Sequence, residues 1–261
     1  PLWHWTVAFG ASLLVLLPAT FAMGATLPAA QRVVDSLTTE HHGIAGLYAA
    51  NTAGALFGTL VATYWLIPAL GLSQTLVLFA GINLGIAALL WLALPKQDGH
   101  PLTGQSDSVP GQRLLLALFL TGLLGLGYEI LVVRVLAQVL EGTVYSFAAV
   151  LSIYLLGTAL GAAAYHRYAR SPGDDLARWP LISRRLLTIV SALCLAGTAM
   201  LWSTEFVYRA VFAQFGPGNL AAMLAELSVA ILVFLLPTIA MGALFSHLAQ
   251  GIRGRRHTIG R

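Results

Sequence analysis

Seven stretches of this chain are long and apolar enough to cross a lipid bilayer: approximately residues 5–27, 46–67, 72–94, 114–135, 143–165, 186–204 and 220–244. A crossing helix needs about 20 predominantly apolar residues, because hydrocarbon cannot satisfy an exposed backbone group. Leu, Ala and Gly dominate these stretches, and strict apolar–polar alternation is absent. The pattern predicts an all-α integral membrane protein with about seven transmembrane helices, not a barrel. Charge supports it: 9% of the 261 residues are charged, against about 25% in a soluble domain. Pro18 and Pro237 fall inside the first and seventh stretches. In lipid such prolines bend a helix, since neighbours can satisfy the freed carbonyl. The single cysteine, Cys194, excludes a disulfide framework and a thiolate cluster and reads as a packing residue.

The basic residues test the count. With loops on alternating sides, one side receives Arg32, Lys96, Arg113, Arg167, Arg170, Arg178, Arg184, Arg185, Arg253, Arg255, Arg256 and Arg261. The other side holds only Arg134 and Arg209. The positive-inside rule then puts the N-terminus outside and the C-terminus in the cytoplasm. The expected location is a bacterial inner (plasma) membrane. Arginines flanking helix ends suit anionic lipid, and no basic stripe interleaved with aromatics suggests nucleic acid.

Residues 16–25 read LLPATFAMGA and residues 235–243 read LLPTIAMGA. Equivalence of the first and seventh spans makes a repeat unit of six helices. Six is even, so the copies are parallel, as in the halves of major-facilitator transporters. Residues 1–94 would then be the second half of a first unit, with three spans. Residues 95–112 would be a cytoplasmic linker, and residues 113–261 the first four spans of a second unit. This reading predicts an internal piece of a longer protein.

Four strings carry a family resemblance: PATFAMGATLP (18–28), GLYAANTAGALFG (46–58), GLGYEILVVRVLAQVLEGTVYSF (125–147) and LLGTALGAA (155–163). They resemble the membrane region of transmembrane spermidine synthase-like proteins, in which a major-facilitator-like part is fused to a spermidine synthase. The resemblance implies an anchor for a cytoplasmic aminopropyltransferase domain, in cis or in trans, with a polyamine as a possible ligand. The second copy departs from the pattern, since Met241-Gly-Ala-Leu-Phe lacks the Thr-Leu-Pro that follows the first. Aminopropyl transfer belongs to a Rossmann-like domain, and none is visible here. The one glycine string, Gly122-Leu-Leu-Gly-Leu-Gly127, lies inside a span with no preceding strand and reads as a packing face. No catalytic residue or cofactor is assigned to this chain.

Ionisable groups in lipid are costly and are functional candidates. Two carboxylates lie well inside spans, Glu129 and Glu226. Glu129 is about 22 Å from the cytoplasmic end of its helix at 1.5 Å per residue, and Glu226 also falls in the outer half. With Arg134, five residues after Glu129, they form a candidate substrate-binding set for a small cation. The structural alternative is a Glu129–Arg134 pair, or Glu129 bonded to a neighbouring Tyr or to backbone. Tyr48, Asn51, Thr52 and Tyr128 are candidates for domain docking or helix packing, and Asn83 reads as helix glue. Gly54 with Gly58, Gly81 with Gly85, and Gly157 with Gly161 are small-residue pairs that permit close helix approach. The seven histidines show no metal-binding spacing, and no metal site is expected.

Overall fold

The computed structural model describes residues 2–37, 44–93, 112–140, 142–168, 175–216 and 218–258. All its regular elements are helices, and seven stretches are long and apolar enough to cross a membrane. The chain is a helical membrane protein. Helix α1 is Leu2–Leu37. Helix α2 runs Ile44–Leu70 and contains a π-helical turn at Ala62–Leu66. Helices α3 (Leu72–Ala93), α4 (Gln112–Leu136) and α5 (Val144–Tyr168) follow. Helix α6 comprises Asp175–Met200, a 3-10 turn at Leu201–Ser203, and Thr204–Phe215. Helix α7 comprises Asn219–Ala230, a π turn at Ile231–Leu235, and Leu236–Thr258.

Three helices overrun the spans expected from hydropathy. Helix α1 continues past residue 27 to Leu37, α6 begins at Asp175 rather than near 186, and α7 continues past Leu244 to Thr258. Hydropathy marks where a helix can sit in lipid, while its hydrogen bonding continues until something stops it. Arg184 and Arg185, expected in a loop, therefore lie on α6. The expected linker falls almost wholly outside the described residues, as does Glu141.

Helix α5 is the centre of the bundle. It packs on α7 along one side and on α2 along another. Helix α7 also touches α6, α4 and α2. Gly157 and Gly161 of α5 and Gly242 of α7 permit this approach. A Cβ on Gly161 would collide with the Ile239 carbonyl, and one on Gly242 with the Thr158 carbonyl. Gly54, Gly58, Gly81 and Gly85 have nothing near them. One of the three expected small-residue pairs therefore makes a helix contact, because the motif suits any lipid-borne helix but acts only on a face that meets another. The glycine string of α4 departs in the same way: a Cβ on Gly125 would lie 3.8 Å from the Met241 sulfur, an ordinary contact, and one on Gly122 or Gly127 would meet nothing.

The main apolar core joins Val132, Leu136 and Leu140, Val150 and Ile153 of α5, and Val229, Ala230, Val233 and Phe234 of α7. Phe234 is fully buried, with Tyr128 and Tyr154 rings edge-on to it at 6.0 and 6.3 Å. A smaller cluster holds Leu114, Leu244 and Leu248, flanked by Trp179 and Leu186. Helices α1 and α3 present nearly all their apolar surface outward. In water such a face would be untenable; in lipid it is an ordinary solvent contact. On α1 the exposed Thr20 and Thr26 satisfy their hydroxyls within the helix, Thr20 donating to the Leu16 carbonyl at 2.9 Å and Thr26 to the Met23 carbonyl at 2.6 Å. Trp3, Trp5, Trp65 and Trp91 are exposed and lie toward helix ends, the depth at which tryptophan collects in membrane proteins.

Candidate functional site

Among the described residues, the buried or half-buried Glu226, Glu129 and His247 are each hydrogen-bonded to a side chain of α5. At the start of α5, Thr143 acts as the N-cap: its hydroxyl accepts from the Ser146 backbone N–H at 3.2 Å. The Ser146 hydroxyl lies 2.9 Å from that of Thr143 and donates to the Glu226 carboxylate of α7. Glu226 is only 4% exposed and Ser146 2%. The carboxylate thus lies at the positive end of the α5 dipole, which favours an anion there by up to about 2 kcal/mol in a partly buried setting. From α2, the Tyr64 hydroxyl reaches the Tyr145 carbonyl at 3.2 Å and lies within electrostatic range of Glu226. The result is a buried carboxylate held by the Ser146 hydroxyl, with the Tyr64 hydroxyl of α2 bonded to backbone of the same turn of α5.

Glu129 of α4 is half-buried and accepts a hydrogen bond from Tyr154 of α5. Arg134 is exposed. Five residues of helix rotate the direction by about 140°, so Glu129 and Arg134 point apart. The expected set of Glu129, Arg134 and Glu226 is therefore not one site. Glu129 and Glu226 meet α5 at positions eight residues apart, about 12 Å along the axis.

The docking or packing candidates divide in the same way. Tyr48 stacks on Phe245 of α7 with ring centres 4.5 Å apart, and Thr52 is buried with its hydroxyl on the Tyr48 carbonyl at 2.8 Å. Both are packed inside the bundle. Asn51 and Asn83 are exposed and face away from it. Tyr128 has a specific task. Pro237 lacks an N–H, which leaves the carbonyl of Val233, four residues earlier, without its helical partner. The Tyr128 hydroxyl donates to that carbonyl at 3.1 Å. A Cβ on Gly197 of α6 would collide with both groups, so this glycine keeps the contact open.

A third polar cluster was not anticipated. His247 of α7 is 1% exposed. Its Nδ1 lies 2.8 Å from the Tyr165 hydroxyl of α5, and its Nε2 lies 2.8 Å from the Ser183 hydroxyl of α6. Trp179 stacks on the imidazole at 5.1 Å with planes inclined by 20°. The seventh span expected from hydropathy ends at Leu244, whereas α7 continues through His247, and the flanking Leu244 and Leu248 were the available signal. Among the described residues no three His, Cys, Asp or Glu side chains converge as a metal site would require.

No protein-family model, curated protein or solved structure matches this chain.

Proposed function

We propose that this chain is the membrane domain of a spermidine synthase-like protein. It would lie with its N-terminus outside and its C-terminus in the cytoplasm, as part of a parallel six-helix repeat. Its role would be to hold an aminopropyltransferase domain, in cis or in trans, at the cytoplasmic face. The motif strings carry this reading. Two of their segments, 46–58 on α2 and 125–136 on α4, belong to helices that pack on α5 and α7, which supports a joint structural role. Fractionation of cells expressing the complete reading frame tests it. Spermidine-forming activity should sediment with the membranes and move to the soluble fraction when this segment is deleted. Activity that stays soluble in both cases would refute it.

A second reading, a major-facilitator-like carrier of a small cation such as a polyamine, is favoured by Glu226. A buried carboxylate two turns into α7, bonded to a neutral hydroxyl, is a costly feature of the kind that substrate paths retain. Because Glu226 is buried, a cation reaches it only when its surroundings move. Uptake of labelled spermidine into proteoliposomes should fall at least tenfold in Glu226→Gln and less in Glu129→Gln. Unchanged uptake in both variants would eliminate this reading.

A further inference from the structure

We propose that His247 is a proton-binding site within the membrane, built to hold the same three helices together in both of its protonation states. This does not rest on the spermidine reading. It rests on the hydrogen-bond directions around the ring. Ser183 donates its only hydroxyl proton to the Trp179 carbonyl at 2.9 Å. Its oxygen can then serve Nε2 only as an acceptor, which fixes the proton of neutral His247 on Nε2. Nδ1 is left as an acceptor, filled by the Tyr165 O–H at 2.8 Å. Neutral His247 is therefore satisfied at both nitrogens.

A second proton fits the same frame. It binds at Nδ1, and Tyr165 keeps its own proton while rotating its O–H so that an oxygen lone pair faces the ring. The Nε2–H bond to Ser183 is unchanged. The charged ring then lies over Trp179, whose indole face attracts a cation. Hydroxyl partners can donate or accept, so they can serve the ring in either protonation state. Among the described residues, the titratable or charged groups nearest in sequence to this end of the packed elements are His166, beside Gly46 of α2, with exposed Arg167 and Tyr168 on α5, Tyr48 on α2, which packs on Phe245, and exposed Arg184 and Arg185 on α6. The α4 residues at this end, Leu114 and Leu118, are apolar. In the proposed orientation the site lies in the cytoplasmic half, so the proton comes from that side.

The test is nitrogen NMR of the whole chain in lipid nanodiscs, with all seven histidines labelled. At pH 8 one ring, absent from His247→Gln, should show a protonated Nε2 and a hydrogen-bonded, unprotonated Nδ1. Lowering the pH to 5 should protonate that Nδ1 reversibly while the protein stays folded. Trp179→Leu, which leaves both ring nitrogens bonded, should lower the proton affinity of this one histidine about twofold to thirtyfold. It also identifies the resonance should His247→Gln fail to fold. A ring that shows the opposite tautomer, stays neutral down to pH 5, or titrates unchanged in Trp179→Leu would overturn the proposal.

Discussion

Glu226 illustrates how a charge survives inside an apolar bundle. Its carboxylate takes the Ser146 hydroxyl and faces the first turn of α5, and the two together offset part of the cost of removing it from water. Glu226→Gln keeps an acceptor for Ser146 and should change unfolding in detergent by less than about 1 kcal/mol. Glu226→Leu removes that acceptor, leaves Ser146 only the Thr143 hydroxyl, and should cost about 1–3 kcal/mol. Thermal unfolding of both variants checks this, and equal losses would show that the bond contributes nothing. At this scale the sequence was partly legible. Glu129 and Glu226 stand out as carboxylates in apolar runs, but their partners, Tyr154 and Ser146, lie on another helix. No spacing rule links residues 80 positions apart. Helix rotation points Glu129 and Arg134 apart, and His247 lies three residues beyond the stretch that hydropathy marks as apolar.

Helices were legible because apolar runs of this length leave the backbone few other options in lipid. Their ends were not, since α1, α6 and α7 continue beyond their apolar windows. Helix irregularities have local causes: the π turns at Ala62–Leu66 and Ile231–Leu235 each come immediately before a proline segment, Pro68 and Pro237. The Tyr128 bond to the Val233 carbonyl gives this a measurable consequence. Tyr128→Phe should cost about 0.5–2 kcal/mol, the range for interhelical bonds in membranes. In a Pro237→Ala background the helix can supply its own N–H to that carbonyl, and the cost should shrink. An undiminished cost would show that the hydroxyl acts through something other than the proline gap. Packing offers a second contrast. Gly161→Leu should drive α5 from α7 and cost more than about 3 kcal/mol, whereas Gly85→Leu on open α3 should be neutral. Unfolding midpoints that rank the other way would contradict the observed contact face.

For the whole molecule, α5 is the shared partner of Glu226, Glu129 and His247. Ser146, Tyr154 and Tyr165 fall within about 100° of one another around its axis, so the polar contacts follow one side of one helix. Hydropathy could count the spans but could not select α5 as the centre, because neighbours are set by packing and not by order along the chain. Every statement about an outer carboxylate and an inner histidine depends on the direction in which the seven spans run. That direction is proposed from the basic residues, and impermeant-maleimide labelling of intact cells measures it. In a Cys194→Ala background, Gln138→Cys should be labelled from outside and Ser106→Cys only after the cells are opened. Labelling of Ser106→Cys in intact cells with none at Gln138→Cys would invert the molecule, and labelling of both would break the count of seven spans.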